Sequence, residues 1–149
     1  MMTTVLAEGF AFLEGPRWHD NALWLSDMLA GRVYRIGMSG TAEVVAHVPH
    51  RPSGLGFLPD GKLLIVSMRD RRLLRREADG LVCHADLSHL VTSELNDMVV
   101  DAQGRAYVGA FSFEDGTRKA FDDSCVVLVH PDGQSQIVAK GLAFPNGTG

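Results

Sequence analysis

Apolar positions along this chain fall in short runs of strand length, without the i, i+3, i+4 spacing of an amphipathic helix. The runs are Leu23-Trp24-Leu25, Arg32-Val33-Tyr34-Arg35-Ile36, Glu43-Val44-Val45-Ala46-His47, Leu63-Leu64-Ile65-Val66, Ala106-Tyr107-Val108, Val126-Val127-Leu128-Val129 and Gln136-Ile137-Val138-Ala139. Asp20-Asn21, Asp60-Gly61, Asp79-Gly80, Gln103-Gly104 and Asp132-Gly133 stand between them. Such pairs tolerate the positive φ of hairpin turns, so the pattern predicts consecutive antiparallel hairpins. Only Ala85-Asp86-Leu87-Ser88-His89-Leu90 could form a helical turn, and it reads equally as a connection.

The runs also repeat. Gly15-Pro16-Arg17-Trp18 through Asp27 aligns with Gly54-Leu55-Gly56-Phe57 through Val66, and a third copy runs from Asp97 to Val108. The offsets are 39 residues, then 43 from Phe57 to Val100. Each copy is followed by a second hairpin, near Met38-Ser39-Gly40, Asp79-Gly80 and Asp132-Gly133. Four strands every ~40–45 residues is the period of a propeller blade. The expected fold is all-β, a β-propeller, with blades at about 14–48, 53–86 and 96–140 and the start of a fourth at 141–149. A run of three blades would leave two apolar end faces bare. The chain is therefore expected to be part of a longer propeller or to self-associate through those faces.

Composition narrows the function classes. A hydrophobic share of 46% with 21% charged residues is that of a globular protein, not a disordered one. The net charge of −4 argues against nucleic acid as a partner. Arg69, Arg71, Arg72, Arg75 and Arg76 cluster, but alternation along a strand sends them to both faces, and a solvated outer strand accounts for them. Cys83 and Cys125 lie in apolar runs and are expected to be buried thiols rather than a disulfide framework. The start of the chain lacks a basic region followed by an apolar one, and no apolar run reaches membrane-spanning length. No membrane partner is expected, and the compartment expected is the cytoplasm.

In a meandering blade, the start of the inner strand and the link between the second and third strands lie at the same end. Glu14, Ser53-Gly54, Asn96-Asp97 and Pro145-Asn146-Gly147 occupy inner-strand starts, so their side chains should converge on a central funnel. One carboxylate and two amides make an oxygen-rich set suited to a hard cation such as Ca²⁺ or Mg²⁺. Taken singly, Asn146 is a turn residue, Asn96-Asp97 could cap a strand and Glu14 could be a surface carboxylate; the shared position is what favours a site. The six histidines are scattered and read as structural or solvated. The long stretch between Gly109 and Cys125 is either a lid or specificity loop at the funnel, or a plain surface loop.

Leu13-Glu14-Gly15-Pro16-Arg17-Trp18, Pro52-Ser53-Gly54-Leu55-Gly56-Phe57, Asn96-Asp97-Met98-Val99-Val100-Asp101 with Gly104-Arg105, and Phe144-Pro145-Asn146-Gly147 together resemble the senescence marker protein/gluconolactonase (regucalcin-like) family. The resemblance runs in order over nearly the whole chain. It implies a propeller that is six-bladed when complete, with one divalent cation at the funnel floor. Ca²⁺ is the first expectation; Mg²⁺, Zn²⁺ and Mn²⁺ are alternatives. Glu14, Asn96 and Asn146 would be its ligands. Asn96 and, by a looser match, Glu114 would touch substrate. Glu94 stands where family members often carry an arginine, which makes a sugar lactone a less secure substrate. The family's catalytic Asp would lie beyond residue 149.

These readings converge on a metal-dependent hydrolase of a small lactone or ester. The cation would polarise the carbonyl and orient a water, and a carboxylate would take the proton. A propeller phosphotriesterase and a non-catalytic metal-binding propeller fragment are the alternatives.

Overall fold

The computed structural model describes residues 2–111, 124–142 and 144–147. Every regular element among them is a β-strand, and the strands form three four-stranded antiparallel sheets. The first holds Leu13–His19 (β1), Ala22–Asp27 (β2), Arg32–Ile36 (β3) and Ala42–His47 (β4). The second holds Pro52–Phe57 (β5), Leu63–Ser67 (β6), Arg72–Glu77 (β7) and Gly80–Asp86 (β8). The third holds Glu94–Val100 (β9), Ala106–Phe111 (β10), Cys125–Val129 (β11) and Ser135–Lys140 (β12). Within each sheet the strands lie in chain order, so each is a meander built from hairpins. This is a β-propeller, with three blades in this chain. Asp20 and Asn21 both have positive φ (48° and 55°), the conformation a two-residue hairpin requires. Ala85 and Asp86 finish β8 and a turn follows, so the connection reading holds there and the helical one does not.

The first strands of the three blades, β1, β5 and β9, pack against one another. They are inner strands, and their burial shows it: Pro52, Ser53, Gly54, Leu55 and Gly56 of β5 are all buried. The outer strand β12 instead alternates half-buried with exposed positions, as a one-sided edge should. Between the blades lie two cores. Val33, Val48, Leu55, Leu63 and Ile65 join the first blade to the second, and Leu64, Leu73, Leu87, Leu95, Met98 and Val127 join the second to the third.

Close approach of the inner strands depends on glycine. A Cβ at Gly54 would sit 2.5 Å from Met98 N and 2.9 Å from Asp97 Cα. A Cβ at Gly15, which also has φ +57°, would sit 2.6 Å from the Ser53 carbonyl oxygen. Each inner strand also carries an irregularity near its start. It falls between Glu14 and Arg17 in β1, between Pro52 and Leu55 in β5, and opposite Val108–Ala110 in β9. Such bulges re-aim side chains at the rim of a sheet.

Two expectations need correction. The far face of the first blade is not bare: Leu25, Tyr34 and Ile36 are buried there, with Ala7 and Phe10 packed on them. Phe10 meets Tyr34 edge-on, ring centroids 5.1 Å apart. The segment before β1, which has no strand pattern, thus covers apolar surface that a blade would otherwise expose. Cys83 is exposed rather than buried, because β8 is an outer strand, whereas Cys125 is buried. The arginine cluster does lie on and before β7: Arg72 pairs with Asp70 and Asp86, and Arg75 with Glu77. Arg69 is separate. It stands in the β6–β7 turn beside Glu94, 3.6 Å from its carboxylate.

Candidate functional site at the inner-strand starts

The starts of the inner strands and the β2–β3 and β6–β7 turns meet at one end of the molecule. There they enclose a cavity of about 470 Å³. Glu14, Asn96 and Asn146 all line it, so three positions separated by up to 132 residues in sequence share one hollow. Glu14 is half-buried at the start of β1, and its carboxylate bonds to no other described residue. Asn96 is buried in β9. Its Nδ2 donates to the Pro145 carbonyl at 3.0 Å, and Ser53 Oγ lies 3.5 Å from its Oδ1. The firm bond on the nitrogen fixes which way the amide faces and keeps its oxygen on the side away from Pro145. Gly109 makes room for this contact: a Cβ there would lie 2.9 Å from the same Pro145 oxygen.

As donors, these residues are one carboxylate and two amide groups. Among the described residues no three His, Cys, Asp or Glu side chains gather into a metal-holding cluster, and no histidine lines the cavity. A carboxylate with amide oxygens fits a hard, oxygen-seeking cation better than it fits zinc, which prefers nitrogen and sulfur. Ca²⁺ takes about 6–8 oxygens, so these three side chains are part of a coordination shell.

The other walls were not apparent in the sequence. Phe12 precedes β1; Met28 and Met68 stand at matching places just after β2 and β6; Phe111 ends β10 and stacks at a tilt on Phe144, centroids 4.6 Å apart. Together they give the cavity apolar lining beside its polar donors. Met28 and Met68 each directly follow the second strand of a blade, but the 39-residue offset sets Met28 against Ser67, so spacing alone did not pair them. Ser93, Glu94 and Arg51 also line the hollow. Ser93 Oγ is buried without a hydrogen-bond partner among the described residues. Glu114 and most of the long stretch before Cys125 lie outside the described residues.

Asp97, the neighbour of Asn96, does not line the cavity. Its carboxylate is 92% buried and accepts from Arg17 Nη2 at 2.8 Å and from the Met98 N–H at 2.8 Å. Asp27, at the end of β2, is likewise structural. It accepts from the N–H groups of Ala11 (2.8 Å), Phe12 (3.0 Å) and Ala30 (3.2 Å). Burial pushes its pKa up, but those three donors and the charge of Arg32 outweigh burial and hold it below the ordinary aspartate value.

Comparison with known proteins bears on the family and the fold. A family model described as "SMP-30/Gluconolactonase/LRE-like region" matches residues 12–149. No curated protein matches the chain by sequence. Among solved structures, a gluconolactonase from Xanthomonas campestris superposes with a TM-score of 0.74 at 21% identity, over 91% of this chain and 49% of that one. Regucalcin from Agrobacterium tumefaciens, described as a calcium-binding protein, gives 0.71 at 24% identity, over 90% and 45%. A nidogen/laminin complex also gives 0.71, at 15% identity, so likeness of this order reports the fold alone. The chain spans about half the length of the structures it matches.

Proposed function

Because the chain belongs to the SMP-30/gluconolactonase/LRE-like family, we propose that it forms the cation-binding part of a gluconolactonase-type hydrolase acting on a small lactone or ester in the cytoplasm. The observation that carries this reading is the convergence of Glu14, Asn96 and Asn146 on one cavity. Glu14 supplies the negative charge, and the two asparagines supply neutral oxygens. Such a set suits Ca²⁺. When bound, the cation lowers the barrier by polarising the carbonyl and orienting water.

The chain's own residues do the rest. The Asn96 amide, tied through its nitrogen to Pro145, keeps its oxygen pre-set, so little ordering cost falls on binding. Phe12, Met28, Met68 and Phe111 limit water and receive the apolar part of a substrate. Among the described residues the cavity's carboxylates are Glu14 and Glu94, and Glu94 is engaged by Arg69. Neither is free to act as a general base if Glu14 holds the cation. The chain by itself is therefore expected to bind Ca²⁺ and to hydrolyse lactones slowly.

Isothermal titration of the 149-residue chain with CaCl₂ tests this reading. Binding is expected, and Glu14→Gln should weaken it by about tenfold or more, since a charged ligand is lost. Absence of Ca²⁺ binding by the folded chain would remove the basis for the proposal. Lactone hydrolysis at enzymatic rates by this chain alone would overturn the assignment of the base to a group other than its own.

A further inference from the structure

A second hollow, of about 420 Å³, adjoins the funnel cavity and shares Met28 and Arg51 with it. His47, Arg51 and Arg69 line it, together with the β2–β3 turn and Pro49, and among the described residues no acidic side chain does. The two arginines are brought together by the backbone. Met68 N–H donates to the Arg51 carbonyl at 2.9 Å, and Arg69 N–H donates to the His50 carbonyl at 3.1 Å. These bonds clamp the link between the first two blades to the β6–β7 turn, so two arginines line one hollow.

That arrangement is costly in two ways. Like charges held together repel unless a counter-charge lies between them. Glu94 answers Arg69, at 3.6 Å, but the Arg51 side chain has no hydrogen-bond or ion-pair partner among the described residues. Arg51 also adopts φ +68°, a left-handed conformation that a long side chain rarely takes. Strain of this kind persists where the surrounding structure imposes it, and it concentrates at binding sites.

We propose that this hollow is an oxyanion subsite, in which Arg51, supported by Arg69 and His47, binds a carboxylate or phosphate group of a small molecule. A planar guanidinium suits either anion through paired N–H donors. Because Arg51 lines both hollows, an anion held there lies beside the funnel cavity. On the lactonase reading, to which only this last step is tied, the substrate is a lactone or ester bearing an acidic substituent.

The test needs neither metal nor turnover, so its outcome is independent of the Ca²⁺ titration. The ¹⁵N-labelled chain is titrated separately with inorganic phosphate and with succinate, and amide shifts are followed. Both are expected to move the N–H signals of Met28, Gly31 and Arg51, with dissociation constants of order millimolar. Shifts with phosphate alone would support the subsite and assign it to phosphoryl groups. Shifts with succinate alone would support it and assign it to carboxylates. Arg51→Asn, chosen because asparagine tolerates positive φ, should weaken binding about tenfold. Arg69→Gln should weaken it less, because Glu94 already engages that charge. Arg76→Gln should leave it unchanged, since Arg76 points elsewhere and donates to the Val45 carbonyl. No site-specific shift with either anion, or equal weakening by Arg76→Gln and Arg51→Asn, would overturn the proposal.

Discussion

Arg17 of the first blade and Asp97 of the third are ion-paired at 2.8 Å, although 80 positions separate them. The arginine also donates to the Met98 carbonyl, so its guanidinium spans from β1 to the middle of β9. Asp97 is almost fully buried and Arg17 is 23% exposed. Removing Arg17 would leave a buried carboxylate without its charge partner. Arg17→Ala should therefore cost about 2–3 kcal/mol, near the lower end for a broken buried pair because of that partial exposure. Urea denaturation of Arg17→Ala, Asp97→Asn and the double variant measures this. A coupling energy near zero would show that the pair is not the clasp its geometry describes.

Gly54 gives a sharper case, because its environment is backbone rather than side chain. A Cβ there would stand 2.5 Å from Met98 N. Neither strand can retreat without loosening the contact between β5 and β9. Gly54→Ala should destabilise by about 3 kcal/mol or more, at or beyond the usual cost of overpacking. Gly37→Ala is the control: its nearest neighbour would be Ser39 Oγ at 4.0 Å, and its effect should stay within about 0.5 kcal/mol. Thermal melts of the two variants against the parent chain make the comparison.

Gly54, Arg17 and Asp97 also mark the limit of what the sequence disclosed. Hairpin turns were legible because Asp-Gly and Asp-Asn pairs encode them locally, and the blade period followed from their spacing. Glu14, Asn96 and Asn146 were legible as a group because a repeated fold carries repeated positions to one end. The Arg17–Asp97 pair was not, since a contact between blades one and three leaves no periodic trace. The hollow around Arg51 was hidden for a similar reason: its strained backbone and its clamp to Arg69 arise from tertiary hydrogen bonds. Nor did any strand pattern reveal that Ala7 and Phe10 cover the first blade.

Asp27 ties the entry segment to the first blade, and its chemistry predicts an acid limit. Its folded pKa lies below the ordinary value, because three backbone N–H groups and Arg32 overcome the effect of burial. A depressed carboxylate stabilises the fold at pH above its unfolded value, about 3.9, and that contribution is lost as pH falls from there through the folded value. Asp27→Ala should cost about 1–2 kcal/mol at pH 7, because its three part-buried N–H donors lose their acceptor. The difference between Asp27→Ala and the parent should shrink on acidification below about pH 4. Urea midpoints for both proteins at pH 7, 5 and 3.5 would show it; a constant difference would contradict the assignment.

His84 should add a loss of stability of the same sign nearer neutrality. Burial, and next the positive charge of Arg75, push its pKa below the ordinary histidine value. Nδ1 lies 3.2 Å from Arg75 Nη1 and accepts its hydrogen, because the guanidinium can only donate. The folded state then resists protonation while the unfolded chain accepts a proton at about pH 6.5. In that window the unfolded state binds more protons, so stability falls as pH drops from about 7 through 6.5 towards the folded value. His84→Gln removes the titrating group and should flatten the decline between about pH 7 and 5 without altering the acid limit set by Asp27. Stability curves for the parent and His84→Gln across that range test the sign directly. A variant whose stability declines as steeply as the parent's would place the neutral-pH sensitivity in another residue.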